Sequence, residues 1–84
     1  MNITSNRLLR NKADLEGMIV AYVKNRPACA GFKRATVQWH EPDAFGTNWS
    51  VDYADDGNLP EETYLAHLNT AVLNLQRQYN LLVV

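Results

Sequence analysis

The segment 52–58 holds the densest set of oxygen ligands in the sequence, and its spacing approximates a calcium-binding loop. With Gly57 at the sixth loop position, aspartates fall on ligand positions one and five. The third and twelfth positions then hold Ala54 and Thr63, so two of the required oxygen ligands are missing. The pattern instead predicts a solvated turn between a strand and a helix.

A second group combines an imidazole with two carboxylates, because His40, Glu41 and Asp43 lie within four residues. A transition-metal site needs three or four ligands that converge with a definite geometry. Successive strand residues point to opposite faces, so His40 and Glu41 cannot easily share one ion. We expect His40 to be an exposed strand residue and His67 to flank the apolar face of a helix, and we predict neither a metal nor another cofactor.

The candidate nucleophiles are Ser5, Ser50 and Cys29. None of them lies in a strand-to-helix elbow or in a glycine-rich frame. Cys29 stands between two alanines, which is typical of a buried, unreactive thiol, and as the only cysteine it excludes a disulfide within the chain. The sequence therefore predicts no catalytic residue, and a small enzyme without a recognisable motif is the last of three functional hypotheses.

Charge is distributed unevenly along the chain, although the net charge is only −1. Residues 1–39 hold seven basic and two acidic groups, a balance of +5, whereas residues 40–84 hold one basic and seven acidic groups, a balance of −6. Four basic side chains of the first half could contact phosphates: Arg7, Arg10, Lys33 and Arg34. The isoelectric point near 6.0 is far below that of a typical nucleic-acid-binding domain. A nucleic-acid-associated protein is therefore the second hypothesis, with weak binding expected.

The first periodic stretch predicts a helix that ends near Asn25. Its apolar residues at helical spacing are Leu8, Leu15, Met18, Ile19 and Tyr22. Ser5 could cap a helix of about five turns, or Asn11 could cap a shorter one. We favour the longer helix because it gives Leu8 and Leu9 a helical face to occupy.

The middle of the chain predicts an antiparallel β-hairpin, because two runs of alternating residues flank a loop bounded by Pro and Gly. The alternation places five side chains on its buried face: Val37, Trp39, Trp49, Val51 and Tyr53. Phe45 lies at the hairpin tip, where burial within one chain is difficult. It could anchor a partner or fold back over the sheet, and we select it as a candidate partner-binding residue.

Pro60 and two glutamates open the last helix, as favoured by proline geometry and the helix dipole. Its apolar stripe comprises Leu65, Leu68, Val72, Leu75, Tyr79 and Leu82. The stripe spans fewer than three heptads, which favours a core face over a coiled coil. Across the chain we expect the following residues to be largely buried: Leu15, Ile19, Tyr22, Val37, Trp39, Trp49, Val51, Leu68, Val72 and Leu75.

These elements predict one α+β domain over residues 1–84, in the order α-β-β-α, with two helices packed on one face of the hairpin. A two-stranded sheet exposes two edges, and a chain of 84 residues has little core. The apolar tail adds Leu81 and Leu82 as candidate partner-binding residues. We therefore expect a homodimer to complete the fold.

The sequence has no export signal and no apolar run of membrane-spanning length, and its single cysteine fits a reducing compartment. We therefore expect a cytoplasmic protein without membrane contact. The first functional hypothesis is a non-enzymatic protein–protein interaction or accessory module with an unknown partner.

Overall fold

The computed structural model describes residues 7–83, which form two helices and two small sheets. In chain order the elements are β1 (Leu8–Arg10), α1 (Lys12–Lys24), β2 (Arg34–Trp39), β3 (Trp49–Asp55), α2 (Glu61–Gln78) and β4 (Tyr79–Leu81). Strands β2 and β3 pair antiparallel, whereas β1 and β4 pair parallel. The α+β class and the hairpin are confirmed. The predicted order α-β-β-α was incomplete, because the structure has a further short strand before the first helix and another after the second helix.

Helix α1 has the shorter of the two predicted forms. The side chain of Asn11 accepts the Asp14 backbone N–H at 2.8 Å, which caps the helix at its first turn. Residues 8–10 form a strand instead of a further turn, because β4 supplies a backbone partner from the other end of the described chain. The five-turn helix was therefore wrong, and its proposed cap, Ser5, lies outside the described residues.

A β-bulge in β3 turns Tyr53 toward solvent. Val37 pairs with Val51, but Thr36 pairs with Tyr53, so Asp52 is an extra residue between the two pairs. An extra residue reverses the alternation of the strand beyond it. Val37 is buried as predicted, whereas Tyr53 is 58% exposed and the prediction for it was wrong.

The two tryptophans of the hairpin pair with each other but have different surroundings. Trp49 is fully buried, and its indole N–H donates to the Tyr79 carbonyl at 3.0 Å. Trp39, predicted to be buried, is 43% exposed. It lines an open surface depression together with Lys12, the first residue of α1, so its ring is in contact with solvent.

The core lies between the two helices and the inner face of the hairpin. Its buried apolar residues are Leu15, Ile19, Val23, Cys29, Phe32, Ala35, Val37, Trp49, Tyr64, Leu68, Ala71 and Leu81. The predicted core residues Tyr22, Val51, Val72 and Leu75 pack against this cluster and are half-buried. Phe32 is fully buried in this core and contacts Tyr64 with ring centroids 5.6 Å apart.

The turn between β3 and α2 is fixed by glycine and by its own carboxylates. Gly57 has φ +65°, and a Cβ at this position would overlap the carbonyl oxygen of Gly31. The Asp55 carboxylate accepts the Gly57 N–H at 3.1 Å, and that of Asp56 accepts the Asn58 N–H at 2.8 Å. These aspartates therefore stabilise a turn, which is the structure predicted for this segment once the calcium-binding loop was excluded.

Candidate interaction surfaces

The outer edge of β1 carries unpaired backbone groups. We call β1 and β4, with Leu82 and Val83, the terminal ribbon. The Arg10 carbonyl accepts the Leu82 N–H at 2.8 Å, so the backbone groups of Arg10 face β4. Because successive strand residues direct these groups to alternate sides, the N–H and C=O of Leu9 point away from β4. Within residues 7–83 no hydrogen bond reaches these two groups.

Side chains close the inner edge of the terminal ribbon. The Asn48 amide donates to the Leu81 carbonyl at 3.0 Å, and its oxygen accepts the Leu81 N–H at 2.8 Å. This pair of bonds reproduces what a neighbouring strand would provide. The Trp49 indole binds the Tyr79 carbonyl beside it. Strand β4 is therefore attached to the start of β3 through side chains, and β1 forms the open edge.

The terminal ribbon also exposes four aliphatic side chains, each by more than two fifths: Leu8, Leu9, Leu82 and Val83. Of the two tail residues selected from the sequence, Leu82 faces solvent. Leu81 is only 7% exposed and belongs to the core, because it alternates with Leu82 along β4 and the chain after it. An unpaired strand edge beside aliphatic side chains is a recurrent site of strand addition.

A groove of about 350 Å³ lies between the hairpin tip and the last turns of α2. It is lined by Arg7, Asp43, Phe45, Thr47, Leu73, Gln76 and Arg77, and we call it the tip groove. Phe45 is 82% exposed, more than any other large apolar side chain in the described range. Its predicted position at the hairpin tip is confirmed, and of the two arrangements left open by the sequence the structure has the exposed one, with the ring not folded back over the sheet.

Arg7 joins the hairpin tip to the end of α2. Its Nε donates to the Gln76 carbonyl at 2.6 Å, and a second guanidinium nitrogen donates to the Thr47 hydroxyl at 3.4 Å. The first bond satisfies a carbonyl of the last helical turn, where a cation also complements the helix dipole. Arg7 is therefore a structural cation at one wall of the tip groove.

Asp43 organises the loop that presents Phe45. One carboxylate oxygen accepts the Thr47 N–H at 3.1 Å and the Phe45 N–H at 2.9 Å. The hydrogen bond from Thr47 lowers the pKa of Asp43 most, and the bond from Phe45 and the charges of His40 and Arg7 add to this effect. Desolvation acts in the opposite direction and does not reverse the shift. Asp43 thus remains a carboxylate, with one oxygen committed to the loop backbone.

Arg77 supplies a second guanidinium to the tip groove, on the exposed side of α2. No hydrogen bond or ion pair connects this side chain to residues 7–83. Arg77 is therefore a guanidinium of the groove without a partner among residues 7–83, while the Asp43 carboxylate is already engaged. This balance favours an anionic group in the groove.

A second groove, of about 430 Å³, follows β3 beside α2. It is lined by Ser50, Val51, Leu68, Asn69, Val72 and Leu73, and Leu73 also lines the tip groove. The His40 N–H donates to the Asn48 carbonyl, so the backbone groups of Asn48 face β2. Because the direction alternates from residue to residue, those of Val51, three positions later, point away from β2 and toward this groove. We call it the β3 groove.

The four candidate phosphate contacts are not brought together on one surface. Arg7 lies at the hairpin tip, and Arg10 stacks over an aromatic ring of the terminal ribbon. Lys33 and Arg34 lie at the opposite end of the hairpin, where Arg34 pairs across the strands with Asp55. These four candidate contacts are therefore split between the two ends of β2.

The remaining candidates for chemistry have structural surroundings. The buried Cys29 thiol donates to the Thr63 carbonyl at 3.4 Å. A ring nitrogen of His40 lies 2.7 Å from the Glu41 carbonyl oxygen, and His67 is half-buried on α2. Among residues 7–83, no three His, Cys, Asp or Glu side chains are grouped so that they could hold a metal ion.

Comparisons with known proteins do not identify the chain: no family model matches it, and no curated protein or solved structure is significantly similar. Neither helix in residues 7–83 combines the length and apolar character needed to cross a membrane.

Three residues that shape these surfaces were missed from the sequence. Leu9 was assigned to a helical face, because two consecutive leucines do not reveal a three-residue strand. Asn48 lies in a loop, and nothing local shows that its amide binds the other end of the chain. Arg77 did carry a signal, since it is the only basic residue among residues 40–84.

Proposed function

We propose that the protein is a non-enzymatic protein–protein interaction module that binds a second copy of itself through the outer edge of β1. The observation that supports this proposal is the backbone of Leu9, which has no partner within residues 7–83 and points outward from a ribbon with exposed aliphatic side chains. A strand edge is complementary to its own copy, because each N–H can donate to the C=O of the other chain.

The simplest assembly is a two-fold dimer in which the two β1 strands pair antiparallel. Leu9 then lies opposite Leu9 of the second copy, and the two residues exchange a pair of hydrogen bonds. The strands form one sheet in the order β4, β1, β1, β4, and each copy covers the ribbon edge of the other. A two-fold arrangement closes on itself and leaves no further β1 edge for growth.

The available surface sets the expected affinity. Four aliphatic side chains, each roughly half exposed, offer on the order of 300–400 Å² of apolar area per chain. A standard interface buries about 800 Å² on each partner, so this contact is small. We expect a dissociation constant in the micromolar range.

Sedimentation equilibrium across a concentration series tests the dimer. The variant Leu9→Lys places a charge beside the open edge while replacing a side chain that is 58% exposed, so the monomer should fold. We expect the wild type to dimerise with increasing concentration and Leu9→Lys to remain monomeric. The matched control Leu65→Lys, on the exposed side of α2, should dimerise like the wild type. A wild type that stays monomeric at high micromolar concentration contradicts the proposal.

A further inference from the structure

We propose a second binding site, distinct from the dimer surface: the tip groove and the β3 groove together bind an extended peptide segment of another protein. That segment carries a carboxylate next to an aromatic or aliphatic side chain. Three independent features of the described residues support this assignment.

The first feature is charge. Arg77 faces the tip groove without a partner in residues 7–83, and Arg7 contributes a second, fixed guanidinium. Among residues 7–83, Asp43 supplies the one carboxylate that lines the groove, and it already accepts two backbone N–H groups. A carboxylate of the incoming segment can therefore pair with Arg77 through two parallel hydrogen bonds.

The second feature is the presentation of apolar side chains. Phe45 is 82% exposed, yet its backbone is held by the Asp43 carboxylate and by Gly46, which takes φ +83° in the turn. Leu73 is exposed on the facing helix. A rigid aromatic anchor loses little conformational entropy on binding, which is why such residues dominate interface energetics. Phe45 and Leu73 therefore enclose a place for one apolar side chain of the partner.

The third feature favours an extended chain over a compact small molecule. Leu73 lines both grooves, so the binding surface continues from the tip along β3. Two other outward groups of the hairpin are capped by side chains: Glu16 accepts the Val37 N–H at 2.8 Å, and Gln76 donates to the Trp49 carbonyl at 2.8 Å. The outward groups of Val51 have no such partner among residues 7–83. A peptide strand can pair there and place alternate side chains in the grooves.

Nucleic acid fits this surface less well. A phosphate backbone requires a row of cations along its path. Along β3 the tip groove is followed by Asp52 and Asp55, and the nearest further cations of the candidate set, Lys33 and Arg34, lie at the far end of the hairpin. A single guanidinium without a partner among residues 7–83, that of Arg77, favours one carboxylate over a chain of phosphates.

Selection from a random dodecapeptide display library, followed by fluorescence anisotropy of the enriched peptide, tests this assignment on the full chain. Every measurement is repeated in the Leu9→Lys background, so a failure of the dimer cannot be mistaken for a failure of this site. We expect enriched peptides to combine Asp or Glu with Phe, Trp or Leu. Phe45→Ser should weaken binding about tenfold or more, and Arg77→Gln about fivefold.

Matched controls replace residues of the same type outside the grooves. The controls Arg34→Gln and Leu65→Ser should leave the affinity for the peptide unchanged. Leu73→Ser, which changes a residue that lines both grooves, should lower this affinity. Thermal unfolding of each variant separates lost binding from lost folding. The assignment is overturned if no selected peptide binds in solution, if Phe45→Ser or Arg77→Gln leaves the affinity unchanged, or if oligothymidylate displaces the peptide at a lower concentration than the free peptide itself.

Discussion

The hairpin and the terminal ribbon are both two-stranded, but they are held in opposite ways. The strands of the hairpin are close in the chain, one face is covered by helices, and its edges are partly capped by Glu16 and Gln76. The ribbon joins three-residue strands from the two ends of the described chain. Its inner edge depends on the side chains of Asn48 and Trp49, and its outer edge has no backbone partner in the part of the chain that the structure describes.

This difference separates a structural sheet from one suited to binding. A segment with few buried apolar contacts and exposed backbone groups opens at a lower free energy than the core. The ribbon therefore depends on the hairpin for its position, while the hairpin is stabilised by core packing that does not involve β1. An edge of this kind can accept another strand without disturbing the core.

The largest effect on the free energy of unfolding is expected from Trp49→Ala, because this residue of the hairpin also holds the terminal ribbon. Its side chain is fully buried in the core, and its indole N–H holds β4. Removing it should lower the free energy of unfolding by about 3–5 kcal/mol, enough to unfold a marginally stable domain. Chemical denaturation measures the change. The comparison variant Trp39→Ala, which truncates a 43% exposed ring, should cost less than half as much. Equal costs would show that burial does not distinguish the two rings.

A smaller and more local effect is expected from Asn48→Ala. The substitution leaves the N–H and C=O of Leu81 without their partners, at a cost of about 1–3 kcal/mol. Native-state amide exchange should show lost protection of the Leu82 N–H in the ribbon, while the His40 N–H in the hairpin keeps most of its protection. Asn69→Ala, at an exposed helical position, is the matched control and should change neither amide. Equal loss of protection at both amides would show that the two sheets open together.

The smallest effect concerns pH and is confined to the hairpin tip. Hydrogen bonds, first that from Thr47, lower the pKa of Asp43 in the folded state below its unfolded value. The carboxylate therefore stabilises the loop above its ordinary pKa, and this contribution is lost as the pH falls through the lowered value. NMR titration should show the Phe45 and Thr47 amides shifting in that acidic range while ribbon amides do not. Asp43→Asn keeps an acceptor oxygen and should abolish the transition; a transition that persists would assign it to another group.

The parts of the fold that could be predicted are those with local periodic patterns. Alternation identified the hairpin, and spacings of three and four identified both helices. The terminal ribbon could not be found in this way, since three residues are too few to show a period and the partner strand lies at the other end of the chain. The exposure of Tyr53 was also unpredictable, because the bulge at Asp52 leaves no mark in the residue pattern.

The candidate surfaces were predictable to a similar degree. Phe45 could be selected because a hairpin tip has few places to bury a large ring. Leu82 was selected for its apolar character, but the same reasoning selected Leu81, which the fold buries. The tip groove depends on Arg7 and Arg77, which are 70 positions apart and come to one groove only after β1 has paired with β4 beside the hairpin.

The most direct test of the proposed interaction edge is amide exchange of Leu9 as a function of protein concentration. In the dimer its N–H donates to the second copy, so we expect its exchange to slow as the concentration rises through the micromolar range. The Leu82 N–H, which already donates to the Arg10 carbonyl within the chain, is the internal reference and should change much less. A Leu9 amide that exchanges at one rate, that of a solvent-exposed amide, at every concentration would contradict self-association through β1.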